Sequence, residues 1–155
     1  MKEMTTTPEM LIENQLCFTI YACSREITKL YQPYLNKIGV TYSQYLVLLV
    51  LWEKQQCTVN EIGEALLLDS GTLTPLLKRL QVAGLILRER SLQDERKVLI
   101  SLTEQGWALR AEAACIPSKM MEGTNMSGEE FKDLLEQFKD LLNRVHKVNK
   151  GISNK

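Results

Sequence analysis

The chain has 155 residues, of which 45% are hydrophobic and 25% charged, and its 19 basic side chains balance 19 acidic ones. That is one domain's worth of globular sequence, able to bury roughly 70% of its unfolded surface without a disulfide or metal staple, and neither a disordered chain nor a uniformly polybasic coat for nucleic acid. The longest apolar run, Tyr45 to Trp52, falls short of the ~20 residues that span a bilayer, and MKEMTTTPEM at the start has no apolar segment of signal-peptide type; a soluble cytoplasmic protein with no membrane partner is expected.

Thr7-Pro8-Glu9 has the form of a helix start. Leu16, Ile20, Cys23, Ile27, Leu30 and Tyr34 then recur at helical spacing as one apolar stripe. Pro33 is expected to end or kink this helix near Tyr31. After Gly39, Thr41-Tyr42-Ser43-Gln44 is a capping box, opening a helix to about Glu53 that is apolar nearly all round and so belongs to the core. Thr58-Val59-Asn60-Glu61 is a second capping box and begins a short helix to about Leu66. Leu67 to Ser70 form a turn. A further helix runs to Ala83 and stops at Gly84. Pro75 lies near its start, either in a late first turn or at the cost of one hydrogen bond.

Leu85–Arg90 and Lys97–Leu102 read as two strands joined by the polar turn SLQDER, a β-hairpin. Thr103 caps an alanine-rich helix expected to reach about Glu122, with a disturbance at Pro117. Ser127-Gly128-Glu129-Glu130 is a third capping box. Phe131, Leu134, Leu135, Phe138, Leu141, Leu142 and Val145 stripe the last helix. The fold class is mainly α with a small β-hairpin wing, and residues 58–102 have the element order of a winged helix-turn-helix.

Such proteins place the second helix of the pair in the major groove. Here it offers Ser70, Thr72 and Thr74 near its start and Lys78 and Arg79 further along. Hydroxyls suit phosphate and base-edge contacts, and the cations reach phosphate or guanine. Between Lys78 and Lys97 stand six basic residues (Lys78, Arg79, Arg88, Arg90, Arg96, Lys97) and three acids (Glu89, Asp94, Glu95), a local +3 in a neutral chain. That asymmetry suits double-stranded DNA. At the wing tip an arginine, Arg96, can enter a minor groove while Asp94 orients it. The competing reading is a winged-helix interaction module with a solvated charged face. The terminal helices have apolar stripes without an obvious partner in so small a domain. A homodimer that buries them would set two recognition helices roughly 34 Å apart on one face of DNA. The alternative is that both fold back on their own core.

The four cysteines, Cys17, Cys23, Cys57 and Cys115, contain no CxxC pair, and His146 is the single histidine; no metal and no cofactor is expected. In a reducing compartment all four are free thiols. Cys23 fits the apolar stripe and is read as core, Cys57 as a partly exposed loop residue and His146 as surface. Cys17 and Cys23 cannot bridge within one helix, because six residues at ~1.5 Å rise give ~9 Å, beyond the ~7 Å limit between Cα atoms. All five tyrosines fall between residues 21 and 45, and a tyrosine hydroxyl can hydrogen-bond a thiolate. From composition alone, Cys17 reads as packing and the tyrosines as core aromatics. An enzyme, a thiol peroxidase using Cys17, lacks an obvious base and leaves the basic wing unexplained.

ENQLCF (Glu13 to Phe18), TYSQYLVLLVLWE (Thr41 to Glu53), LDSGTLTPLLKRL (Leu68 to Leu80), GLILRERSLQDER (Gly84 to Arg96) and SLTEQG (Ser101 to Gly106) together resemble the MarR family of transcriptional regulators, and more closely its organic-hydroperoxide-sensing OhrR branch. The resemblance implies a single domain over 1–155, with 7–38 and 103–150 as dimerisation helices and 41–102 as the DNA-binding region. It implies a repressor bound to operator DNA until an organic hydroperoxide oxidises Cys17, the redox sensor. Hydroxyls of Tyr31 and Tyr42, supplied by the partner subunit, would support the thiol; Tyr21, one turn beyond Cys17, offers a further hydroxyl. A low-molecular-weight thiol would complete the switch, with Cys115 as the possible resolving cysteine; the second cysteine of two-cysteine members falls somewhat later than Cys115. The runner-up is a MarR-type regulator released by an aromatic small molecule without thiol chemistry.

Overall fold

A computed structural model describes residues 7–153. The first six residues, part of the argument against a signal peptide, lie outside the described residues. Two 3-10 turns, Pro8–Met10 and Ile12–Asn14, precede α1 (Leu16–Lys37) and α2 (Tyr42–Lys54). Then come β1 (Gln56–Thr58), α3 (Val59–Leu66), α4 (Ser70–Val82), β2 (Ile86–Arg90) and β3 (Val98–Leu102). Three helices finish the chain: α5 (Glu104–Ala113), α6 (Ile116–Thr124) and α7 (Gly128–Ser153). The chain divides into two units, one through Ala114 and one from Cys115. No helix of the described residues is long and apolar enough to cross a membrane.

The first unit is organised by α2, whose Val47, Leu48 and Leu51 are fully buried together with Ile62 of α3, Leu73, Leu77 and Leu80 of α4, and Ile86 and Ile100 of the sheet. Both capping boxes here close in both directions: Thr41 with Gln44 and Thr58 with Glu61. Each satisfies orphan N–H groups on both sides of the cap. The sheet has three antiparallel strands in the order β1-β3-β2. The expected hairpin is there, with Arg88 opposite Ile100 and Ile86 opposite Leu102. The third strand, β1, sets Cys57 opposite Ile100. Gly106 at the start of α5 allows a close approach: a Cβ there would lie 2.1 Å from the Leu85 carbonyl oxygen. The Trp52 indole N–H donates to the Gly106 carbonyl at 3.0 Å.

Several expectations need correction. The first helix does not begin at Thr7, whose side chain makes no capping bond. The Asn14 amide donates to the Pro8 carbonyl at 2.7 Å and the Gln15 amide to the Glu9 carbonyl at 2.5 Å. These side chains compete with the helical ladder and hold tight turns instead. Pro33 does not end α1, which runs through it to Lys37. Only one N–H is lost there, and buried Leu35 anchors the last turns. The end falls at Gly39, at φ +70°, where Ile38 and Val40 both donate to the Leu35 carbonyl. Pro75 lies inside α4, so it removes an early helical bond rather than marking the start. Ser70 is the first residue of α4, and Asp69 caps it.

The alanine-rich helix is two helices, with Pro117 second in α6, where a missing N–H costs nothing. The second unit comprises α6 and α7. Ser127 and Glu130 cap each other's backbone at 2.9 and 3.1 Å. Phe131, Leu134, Leu135, Phe138, Leu142, Val145, Val148 and Ile152 of α7 are all exposed.

Candidate nucleic-acid interface and thiol site

Helix α4 separates its two faces by periodicity. Leu73, Leu77 and Leu80 are buried, whereas Ser70, Thr72, Thr74, Lys78 and Arg79 are exposed. Its N-terminus is fixed by Asp69, which accepts from the Thr72 backbone N–H at 2.8 Å and from the Thr72 hydroxyl at 3.1 Å. Those bonds hold the Asp69 carboxyl below its ordinary range. The Thr72 hydroxyl proton is therefore engaged inside the protein, which leaves that oxygen as an acceptor. A depressed carboxyl stabilises the fold above its unfolded pKa and loses that contribution as pH falls through the folded one. The cap therefore holds at neutral pH and loosens only in acid.

The wing brings its charged residues together around a cleft of about 260 Å³. Thr58, Val59 and Asn60 line it from the start of α3, Thr74 from α4, and Arg88, Arg96, Lys97 and Val98 from the wing. Among the described residues, three cations and no carboxylate line this space. The Arg88 Nε is buried and no described group accepts from it. A buried donor left without an acceptor costs free energy, and an anionic oxygen in the cleft would supply that acceptor. Arg96 donates from its backbone N–H and from Nε to Asp94 Oδ1, at 3.1 and 3.2 Å, so the carboxylate sets the direction of a guanidinium that is otherwise open to solvent. Arg90 is exposed on β2. Thr58 and Asn60 were not picked out for this role in the sequence, where their segment reads only as a helix start.

Arg88→Met keeps the aliphatic stem and removes the unpaired donor. The variant should lose roughly three- to thirtyfold in duplex affinity and about one unit of salt slope. Its melting temperature should not fall. Anisotropy titrations at several salt concentrations check the first two, and thermal denaturation the third.

The thiol residues are distributed unevenly. Cys17 is exposed in the first turn of α1. The Tyr31 and Tyr42 rings lie 4.9 Å apart between centroids, with their planes tilted by 59°, and Tyr31 lies 6.0 Å from Tyr45. Cys17 and Tyr31 share α1 but are fourteen residues apart, or about 21 Å along the axis. One chain therefore does not bring Cys17 to the Tyr31–Tyr42 pair. Burial raises both phenols above the ordinary range, with Tyr42 adding to the effect on Tyr31. Both hydroxyls thus remain proton donors at neutral pH. A raised phenol stabilises the fold fully below its unfolded pKa and ceases to as pH climbs through the folded one. Ultraviolet titration of wild type against Tyr31→Phe and Tyr42→Phe should show both phenols ionising late, with stability lost in the same alkaline window. Tyr21 is exposed, with the Arg25 guanidinium 4.7 Å above its ring.

Two cysteine expectations are overturned. Cys57 is not a partly exposed loop residue; it is 2% exposed in β1, and burial pushes its thiol up. Cys23 is not in the core but exposed on α1. Cys115 is exposed at the start of α6. Alkylation of the native protein should leave Cys57 unmodified, with peptide mass mapping as the readout; labelling of Cys57 without unfolding would contradict its burial.

The family of transcriptional regulators SarA/Rot matches residues 29–112. The organic hydroperoxide resistance transcriptional regulator of Bacillus subtilis is 53% identical over 140 residues, 90% of this chain and 95% of that protein. The chain is a transcriptional regulator of the MarR family, of SarA/Rot type. AbfR of Staphylococcus epidermidis has been solved reduced and bound to DNA. That structure is 39% identical, covers 86% of this chain and 94% of its own, and has a TM-score of 0.72. A disulfide form of AbfR is 42% identical over 84% of this chain and 92% of that one, with a TM-score of 0.61. A MarR variant from E. coli in complex with operator DNA is 26% identical over 82% and 93%, with a TM-score of 0.75. The mainly helical fold with a small antiparallel sheet is thus that of winged-helix MarR regulators.

Proposed function

We propose that this MarR-family chain is a redox-switched repressor, bound to operator DNA as a homodimer while Cys17 is reduced and released when an organic hydroperoxide oxidises it. The observation that carries the reading is the separation just described. Cys17 is exposed at one end of α1, and protonated Tyr31, towards the other end, makes a tilted ring contact with protonated Tyr42 of α2. A second copy running antiparallel would bring each thiol to its partner's pair. The exposed apolar faces of α1 and α7 supply the surface such a dimer needs. The similarity to a hydroperoxide-resistance regulator and to a protein solved both on DNA and as a disulfide form supports the chemistry.

The Cys17 sulfur attacks the terminal oxygen of the hydroperoxide. The O–O bond breaks, an S–O bond forms, and the alcohol leaves with the thiol proton. Sulfur gives up two electrons and the peroxide accepts them. A low-molecular-weight thiol, or Cys115, then attacks the sulfenic sulfur, forming a disulfide and releasing water. The added group displaces Cys17 from the tyrosine hydroxyls, and the recognition helices lose their spacing. A hundredfold loss of DNA affinity needs only ~2.7 kcal/mol of coupling, within reach of a few charge-assisted hydrogen bonds.

In the bound state Ser70, Thr72, Thr74, Lys78 and Arg79 face the major groove, with Arg90 and Lys97 along the backbone and Arg96, oriented by Asp94, in the minor groove. A backbone phosphate occupies the cleft at Arg88. The test is a titration of upstream DNA by the wild-type protein, first reduced, then after an organic hydroperoxide plus a small thiol, then after re-reduction. Tight binding, loss and recovery support the reading, and binding indifferent to all three treatments rejects it. The Arg88 cleft also favours a second reading, in which a small aromatic anion occupies it and competes with DNA. Release by such an anion from a Cys17-blocked protein would select that reading.

A further inference from the structure

The wing loop between β2 and β3 is held from within. The Ser91 N–H donates to the Lys97 carbonyl and the Lys97 N–H to the Asp94 carbonyl, both at 2.9 Å. The Ser91 hydroxyl oxygen, on a side chain that is itself buried, accepts from the N–H groups of Gln93 and Asp94 at 3.2 and 3.3 Å. Asp94 also accepts twice from Arg96, so the loop is closed by hydrogen bonds of its own. It leaves one apolar side chain outside. Leu92 is 103% exposed, in a run with Gln93, Asp94, Glu95, Arg96 and Lys97. Single exposed leucines are common and usually inert. This one is carried on the same hydrogen-bonded loop as the oriented Arg96, four residues before it.

We propose that Leu92 is a minor-groove contact residue, packing against the deoxyribose walls beside Arg96 and biasing the wing towards A·T steps. The inference rests on the DNA-binding reading above. Sugar edges are the apolar surface of that groove, and architectural proteins insert leucine and similar side chains there. An A·T-rich groove is narrow and attracts arginine, which brings its walls onto an adjacent aliphatic group. Guanine adds an N2 amino group to the groove floor, occupying the space the side chain would fill. Leu92 thus reads groove shape by fit, whereas Arg96 reads it by charge.

The test uses the full-length reduced protein on operator duplexes, with Leu92→Ser, Leu92→Met and Arg96→Ala titrated at several salt concentrations. Wild type must first bind duplex with a steep salt slope, and failure there removes the DNA-binding reading itself. Leu92→Ser should then bind roughly tenfold more weakly with an unchanged slope, since apolar burial releases no counterion. Leu92→Met should recover most of the loss. Replacing A·T by G·C at the wing positions should penalise wild type more than Leu92→Ser, and inosine in place of guanine should remove the penalty. Wild-type affinity in Leu92→Ser overturns the proposal. So does a loss accompanied by the shallower slope of Arg96→Ala, which would mean that Leu92 acts only by placing the arginine.

Discussion

Cys17→Ser is expected to bind operator DNA as tightly as the reduced wild type and to stay bound after hydroperoxide treatment that releases the wild type completely. The substitution keeps size and hydrogen-bonding capacity and removes the only atom the oxidation needs. Cys17 is exposed in the first turn of α1, so the exchange disturbs no core packing, and stability should change by less than ~0.5 kcal/mol. The effect on the response is all-or-none because the remaining thiols stand elsewhere. Cys57 is buried with a raised thiol, and Cys23 and Cys115 are exposed but lie outside the ENQLCF segment. The same DNA titration, with intact-mass analysis of the treated protein, gives the answer. Release of Cys17→Ser by peroxide would transfer the sensor to another cysteine. A mutant that fails to bind DNA under reducing conditions would make Cys17 part of the proposed dimer contacts rather than the switch.

What was legible in the sequence follows from the range of the interactions. The caps at Thr41, Thr58 and Ser127 act over three residues, and each was readable from its own tetrapeptide. The winged-helix order was legible because apolar period and punctuation change together at Gly84 and Thr103. Strand β1 was not. Gln56-Cys57-Thr58 is too short to alternate, and its pairing partner Ile100 stands 43 residues further on. The misreading of Cys57 as a loop residue came from that strand alone. At the N-terminus Asn14 and Gln15 reach back to carbonyls six residues earlier, which no helical template anticipates. Their effect on the site is direct, because it moves Cys17 from mid-helix to a first turn. The Arg88 cleft needs α3, α4 and both wing strands at once, so its cations were visible as a charge count but not as a pocket. The nearness of Tyr31 and Tyr42 depends on α1 continuing through Pro33, against the local rule, and only family resemblance pointed to that pair.

Phe138→Glu should dissociate the proposed homodimer and, with it, abolish measurable operator binding at concentrations where the wild type is saturated. Phe131, Leu135, Phe138 and Leu142 lie along one side of α7 and are all exposed in the single chain. A two-fold interface would bury each of them twice. Fully burying one large apolar side chain contributes about 1.5–3 kcal/mol, and a carboxylate forced into the same place adds a desolvation penalty. Phe138 is 47% exposed in the single chain, so about half of that apolar contribution is left to gain. Counted for both copies, the apolar loss is about 1.5–3 kcal/mol, roughly one to two orders of magnitude in the dissociation constant before the carboxylate's penalty. Operator affinity falls further than one half-site's share, because two linked recognition helices act at high effective concentration and a monomer does not. Sedimentation equilibrium measures the first effect and anisotropy the second. Helical content should be unchanged, since Phe138 lies on the exposed face of α7. A cooperative loss of folding instead of association would show that α7 covers its own core, and a dimer that persisted with full DNA affinity would move the interface to α1.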